Sequence, residues 1–206
     1  MCEGTPSATS VTTLPYAVDN DYYAAGYEGD VASISNNGDT TGTACGALSP
    51  AAPRAANAKC WKVVYTPPAA DSGVVGAGFA AVEWQSNLVN MGSYANNFGI
   101  AAGKIPPAGA TEASFWAKGA LGGEVVIFSV GTPNFLCADS VIAPGVQITL
   151  TTTWTKYSIP FTAPVSYTAG QVDAFTWDTA AGMTPTTFYF DNVEWDANSP
   201  ADAGSE

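Results

Sequence analysis

With 206 residues the default is one domain, and a composition that is 47% hydrophobic and only 12% charged excludes disorder. Eighteen Asp and Glu against six Lys and Arg give a net charge of −12, which repels nucleic-acid phosphates and anionic lipid headgroups. The chain has no histidine, which excludes Ser-His and Cys-His nucleophile pairs and His-based metal sites and leaves an enzyme only carboxylates, Tyr or Lys.

In chain order, Cys2 stands directly behind Met1 and precedes the small, polar run Glu3-Gly4-Thr5-Pro6-Ser7-Ala8-Thr9-Ser10. This reads as a mature lipoprotein, exported and anchored through Cys2, whose signal peptide has been replaced by a start Met. Residues 1–13 are accordingly expected to be an N-terminal tether, residues 14–196 the folded domain and residues 197–206 a polar C-terminal tail. No run of about 18 apolar residues occurs, so no segment reads as a transmembrane helix.

Within the domain, Gly, Pro and Asn clusters recur, and no window of helical length keeps a 3.6-residue apolar period. Eight segments instead alternate and are rich in β-branched and aromatic residues: Cys60–Tyr65, 79–85, Glu112–Gly119, 124–130, 147–151, 155–161, Asp173–Thr179 and 187–195. That many strands in one open sheet would leave an apolar face wet, so the expected fold is an all-β, two-sheet antiparallel sandwich of jelly-roll type. Cys45 and Cys60 flank a Pro- and Ala-rich loop and are expected to form a disulfide worth about 3 kcal/mol in the chain-entropy model. Cys137 is then left free and buried, because a lipidated Cys2 cannot pair with it.

The closing run Phe188-Tyr189-Phe190-Asp191-Asn192-Val193-Glu194-Trp195 resembles the last strand of the sandwich-type carbohydrate-binding modules found beside glycoside hydrolases. Asp19-Asn20-Asp21-Tyr22-Tyr23, Lys62-Val63-Val64-Tyr65-Thr66 and Trp154-Thr155-Lys156-Tyr157 agree with that resemblance in order. The chain is also similar to a set of exported bacterial lipoproteins of unknown function through Gly26-Tyr27-Glu28-Gly29-Asp30, Trp84-Gln85, Asn96-Asn97-Phe98-Gly99 and Gly122-Gly123-Glu124-Val125. The resemblance implies a non-catalytic, monomeric, secreted or cell-surface protein that binds a neutral polysaccharide of the β-glucan or xylan class. It also implies a structural Ca²⁺ shared by Asp191 of the closing strand and an early acidic residue, Asp19 or Asp21, since Ca²⁺ collects carboxylate, carbonyl and water oxygens.

A sugar ring packs its C–H face on an aromatic ring while its hydroxyls need amide and carboxylate partners. The stretch from Glu83, Trp84 and Gln85 to Tyr94, Asn96 and Asn97 has that mixture, as do Trp177 and Asp178. Alternation sets Trp84 against Glu83 and Gln85, and Trp177 against Asp178, so one register makes both tryptophans core and shifts stacking to Tyr94 or Trp116. The other register has them stack the sugar; we expect stacking for Trp177 and an outward Gln85. Two rival readings remain: a jelly-roll glycoside hydrolase using Glu83 and Glu124, and a structural surface protein with no sugar site.

Overall fold

The computed structural model describes residues 2–41, 43–45, 57–68, 78–90, 95–133, 136–168, 170–179 and 185–197. Among them lie fifteen strands: β1 (Ser7–Ala8), β2 (Tyr16–Ala17), β3 (Tyr23–Gly29), β4 (Ile34–Asp39), β5 (Cys60–Tyr65), β6 (Ala80–Gln85), β7 (Val89–Asn90), β8 (Ala95–Asn96), β9 (Lys104–Ile105), β10 (Glu112–Gly119), β11 (Val125–Val130), β12 (Ala143–Thr149), β13 (Thr155–Pro160), β14 (Asp173–Thr179) and β15 (Thr186–Asp196). Among the described residues helical structure is confined to three single 3₁₀ turns, Val18–Asn20, Val31–Ser33 and Thr43–Cys45. The expected all-β sandwich is present as a five-stranded sheet, β12-β11-β14-β6-β3, facing a six-stranded one, β13-β10-β15-β5-β4 with β2 also on β15.

Alternation explains which residues meet between the sheets. Trp61, Val63 and Tyr65 of β5, Phe115 of β10 and Phe188 and Phe190 of β15 face Val82 and Trp84 of β6, Phe128 of β11 and Phe175 and Trp177 of β14. The rings interlock edge to face across the gap: Trp84 and Phe190 have centroids 5.4 Å apart, Phe115 and Phe175 5.2 Å, and Trp177 and Phe188 5.4 Å. Each such side chain contributes about 1.5–3 kcal/mol of transfer free energy, and the ring geometry adds to it.

The spine of the six-stranded sheet is β15, which pairs with β10 along one edge and with β5 and then β2 along the other. One extra residue is accommodated where Ser114 pairs with Glu194 but Trp116 with Asp191, so Phe115 faces both Asn192 and Val193. Asn192 takes φ 53 there, a left-handed conformation that Asn tolerates.

The N-terminal stretch corrects the sequence reading. Residues 2–10 are strapped to the body instead of forming a tether: β1 pairs in parallel with β9, Glu3 bridges to Ala101, and Ser10 donates from both N and Oγ to Asp21 Oδ2 at 2.8 Å. Cys2 is joined to Cys137 across 135 positions, with Cα atoms 4.9 Å apart, so Cys137 is not free and the Cys2 sulfur that a lipid anchor would use is already bonded. Cys45 and Cys60 pair as expected, with Cα atoms 6.1 Å apart. The expected tail falls almost wholly outside the described residues, which end at Ala197.

Candidate functional site

The outer face of the five-stranded sheet, pointing away from the core, is built by the residues that alternate with the aromatic set. Pairing fixes one row that crosses all five strands: Glu28 on β3, Ala81 on β6, Asp178 on β14, Ile127 on β11 and Gln147 on β12. A second row contains Gly26, Glu83, Thr176 and Ser129, and a third Tyr23, Gln85 and Asp173. Gly26 and Ala81 keep the centre of this face low. A Cβ on Gly26 would stand 2.5 Å from Gln85 Nε2 and 2.7 Å from Glu83 Oε2, so only glycine lets those side chains lie flat across β3.

At one end the face is covered by loops, and a network of buried acids lies beneath them. Glu83 Oε2 accepts from Gln85 Nε2 at 2.6 Å, and Gln85 Oε1 accepts from the Asn97 backbone at 2.7 Å. The hydroxyl of Thr132 lies 3.3 Å from Glu83 Oε1 and 3.3 Å from Asp173 Oδ2. Asp139 receives backbone N–H groups from Thr132, Val172 and Asp173. Burial pushes the carboxyls of Glu83, Asp139 and Asp173 well above the usual carboxylate range; the nearby Asp173 reinforces this for Glu83, and Asp139 does so for Asp173. The three N–H donors on Asp139 oppose the rise there, and the three carboxyls titrate as one coupled set.

At the open end the chemistry is different. Asp178 is half-buried, its Oδ1 is closed off from solvent and makes no hydrogen bond among the described residues, and burial followed by the charge of Glu28 raises it to about 6. Glu28 and Gln147 are exposed, and Tyr23 is 52% exposed at the edge of the sheet. The three rows carry acceptors, two amides (Gln147 exposed and Gln85 buried), one aromatic ring and no cation. They can accept hydrogen bonds from hydroxyls and pack a ring against an apolar face, and they repel anions.

Several sequence expectations are corrected by this geometry. Trp84 and Trp177 are both fully buried in the core, because β6 and β14 are neighbours in one sheet and Val82 pairs with Trp177, which puts Trp177 on the inner face with Val82 and Trp84. The irregularity in that pair lies between Asp173 and Thr176, before Trp177, and does not reverse it. Trp84 donates its indole N–H to Asp19 Oδ1 at 3.2 Å, a structural bond. Gln85 points outward as expected yet is buried by Asn97, whose side chain closes its own loop on Ser86 and Ala101. Asn96 is half-buried in the short β7-β8 hairpin, Trp116 lies on the outer face of the opposite sheet, and Tyr94 lies outside the described residues. Asp178 and Glu83 remain on the face, as its open rim and its covered floor.

The hydrolase pair is not assembled. The row of Glu83 meets β11 at Ser129, five positions from Glu124, about 16 Å along the strand. Two carboxyls of a retaining glycosidase stand about 5 Å apart. Glu124 Oε1 instead accepts the N–H of Leu121 in the preceding turn.

Of the residues expected to hold calcium, Asp19 and Asp21 are engaged by separate protein donors. Asp19 takes Lys59 N at 2.8 Å and the Trp84 indole, and burial raises it to about 6. Asp21 Oδ2 takes both donors of Ser10 and the Tyr16 hydroxyl, and its Oδ1 lies 3.8 Å from Lys104 Nζ. Asp191 is fully buried on β15 between Trp116 and Cys60. Among the described residues no group of three or more His, Cys, Asp or Glu could hold a metal ion.

Sequence reasoning missed Tyr23 and Glu28 as members of the face. Both sit on β3, a strand of Tyr, Ala and Gly whose weak alternation gave no signal; the exposed tyrosine in Tyr22-Tyr23 could have been found only by knowing that Tyr22 is buried.

No protein-family profile and no curated protein matches the chain. Its structural neighbours include carbohydrate-binding modules. A family 30 carbohydrate-binding module is 12% identical with TM-score 0.49, covering 90% of this chain and 100% of its own. A family 11 module from Clostridium thermocellum, in complex with a β-1,3-1,4-mixed-linked tetrasaccharide, is 12% identical with TM-score 0.45, covering 95% of this chain and 98% of its own. An exo-β-agarase is 10% identical with TM-score 0.45, covering 91% of this chain and 26% of its own.

Proposed function

We propose that the protein is a non-catalytic, exported polysaccharide-binding domain that holds a neutral glycan on the outer face of its five-stranded sheet. The observation that carries this reading is the row Glu28, Ala81, Asp178, Ile127 and Gln147, low at Ala81, with Glu28 and Gln147 exposed at its two ends and the exposed ring of Tyr23 two rows away. Sugar hydroxyls donate to Asp178 and Glu28, Gln147 both donates and accepts, and the C–H face of a pyranose packs on Tyr23. The absence of cations from these rows favours uncharged glycans of the β-glucan or xylan class. Two disulfides support export to an oxidising compartment.

Affinity electrophoresis and calorimetry against β-glucans, xylans, mannans and galactans test this. Tyr23→Ala and Asp178→Ala are each expected to weaken binding by about tenfold or more while leaving the melting temperature nearly unchanged. A flat response of the wild type over all four polymers would leave a surface protein with no sugar site as the better reading.

A further inference from the structure

The chain has six cationic residues, and three of them, Lys62, Lys118 and Lys156, stand on the outer face of the six-stranded sheet. There they are interleaved with aromatic rings. Lys118 on β10 pairs with Tyr189 on β15, Tyr189 pairs with Lys62 on β5, and Trp154 immediately precedes β13 beside Lys118. In the adjoining row Lys156 pairs with Trp116. The Lys118 ammonium sits 5.1 Å from the Trp154 ring centroid and 5.0 Å from that of Tyr189. None of the three lysines is in an ion pair among the described residues. Of the acids on this face, Glu112, Glu194 and Asp196 gather at its other end, where the charge of Lys156 lowers the otherwise raised carboxyl of Glu194; Asp191 and Asp39 lie in the row of Trp116, Asp191 fully buried and Asp39 accepting the N–H groups of Thr41, Thr43 and Ala44.

We infer that this face is a second binding surface and that it takes an anionic polysaccharide, with Lys62 and Lys118 holding the acid groups on either side of Tyr189 and Trp116 offering an apolar platform. A neutral glycan does not fit, because Lys118 occupies the space over two of the three rings, so that part of the cluster presents ammonium groups instead of open aromatic faces. The row Lys118, Tyr189, Lys62 and Asn37 carries two cations and no acid, which is complementary to an acid laid along it. Lys62 and Lys118 sit two strands apart, about 10 Å, a spacing suited to successive charges along an extended polymer. At about 0.1 M salt the net charge of the whole molecule is screened beyond about 10 Å, so the local cations decide. This inference stands independently of the neutral-glycan reading.

Calorimetry at that ionic strength with polygalacturonate, dextran sulfate, poly-glutamate and mixed-linkage β-glucan tests the surface. The wild type is expected to bind polygalacturonate or dextran sulfate; the tighter of the two identifies carboxylate or sulfate as the acid group. The double substitution Lys62→Gln and Lys118→Gln should weaken that binding by about tenfold, while Lys118→Arg retains it and Tyr23→Ala does not affect it. If the double variant melts lower than the wild type, the indole N–H signals of Trp116 and Trp154 in the wild type read the same face: a shift with the anionic polymer supports the inference and no shift overturns it. Failure of both anionic polysaccharides to bind, equal binding of poly-glutamate, or unchanged binding by a folded double variant also overturns it. Failure of Tyr23→Ala to affect mixed-linkage β-glucan would count only against the other face.

Discussion

Glu83 on β6 and Asp173 on β14 meet at a single hydroxyl: Thr132 Oγ1 is 3.3 Å from an oxygen of each. Asp173 Oδ2 also accepts the Thr176 hydroxyl at 2.7 Å and Glu83 Oε2 the Gln85 amide at 2.6 Å, so each carboxyl has its own donor besides the shared one, and it is burial, followed by the charge of a neighbouring carboxylate, that favours the protonated forms.

This fixes the sign of a pH effect. The folded pKa values of Glu83 and Asp173 lie above their unfolded values, so the native state keeps protons that the unfolded chain releases above about pH 4. Their contribution to stability is fully present below that point and is lost as pH rises through the folded values. Thermal melts from about pH 5 to about pH 9 should therefore fall more steeply for the wild type than for Glu83→Gln or Asp173→Asn, each of which should melt higher than wild type at the alkaline end. Parallel curves would show that the fold does not favour the protonated carboxyls.

Truncating Trp177, which is sealed against Phe188, should cost about 3–5 kcal/mol of folding free energy, read by denaturant unfolding. A Trp177→Ala protein with wild-type stability and lost sugar binding would restore the tryptophan to the ligand face.

Removing the bridge of the N-terminal strap by Cys2→Ser should lower stability by about 2–5 kcal/mol, because the bond closes a loop of 135 positions. Non-reducing peptide mapping checks the pairing directly: Cys2 and Cys137 should be recovered linked, and a Cys2 carrying a thioether lipid would contradict it.

Substituting Gly26 by Ala drives a methyl group into Gln85 and Glu83. Binding of the neutral glycan should weaken and the melting temperature should fall, both as a consequence of displaced side chains. An unaltered melt would mean that the buried acid network gives way at little cost.

With Asp19 and Asp21 held by separate protein donors, chelator should leave the melting temperature unchanged. A fall in chelator that added Ca²⁺ reverses would establish a stabilising ion by mass action.

What the amino-acid sequence determined by itself was the class of fold and most of its strands. Glu112–Gly119 and Asp173–Thr179 appear at the expected residues, because local alternation and β-branched or aromatic content report a half-buried strand directly. Of the strands it did not reveal, the longest, β3 and β4, are mostly Tyr, Ala and Gly or Asn, Ser and Gly, and they exist because β6 and β5 offer them a partner edge. The Cys45–Cys60 pair was legible for the same local reason, since only 15 positions separate the two; Cys2–Cys137 spans 135 and was decided by the strap that lays the N-terminus along β9. The ligand face lay furthest from the sequence. A period of two places Trp84 opposite Gln85, and Trp177 opposite Asp178, but does not say which side is inward. That sign was set by the pairing of Val82 with Trp177 and by the aromatic wall of β5 and β15 across the core, contacts between residues about a hundred positions apart that no local pattern encodes.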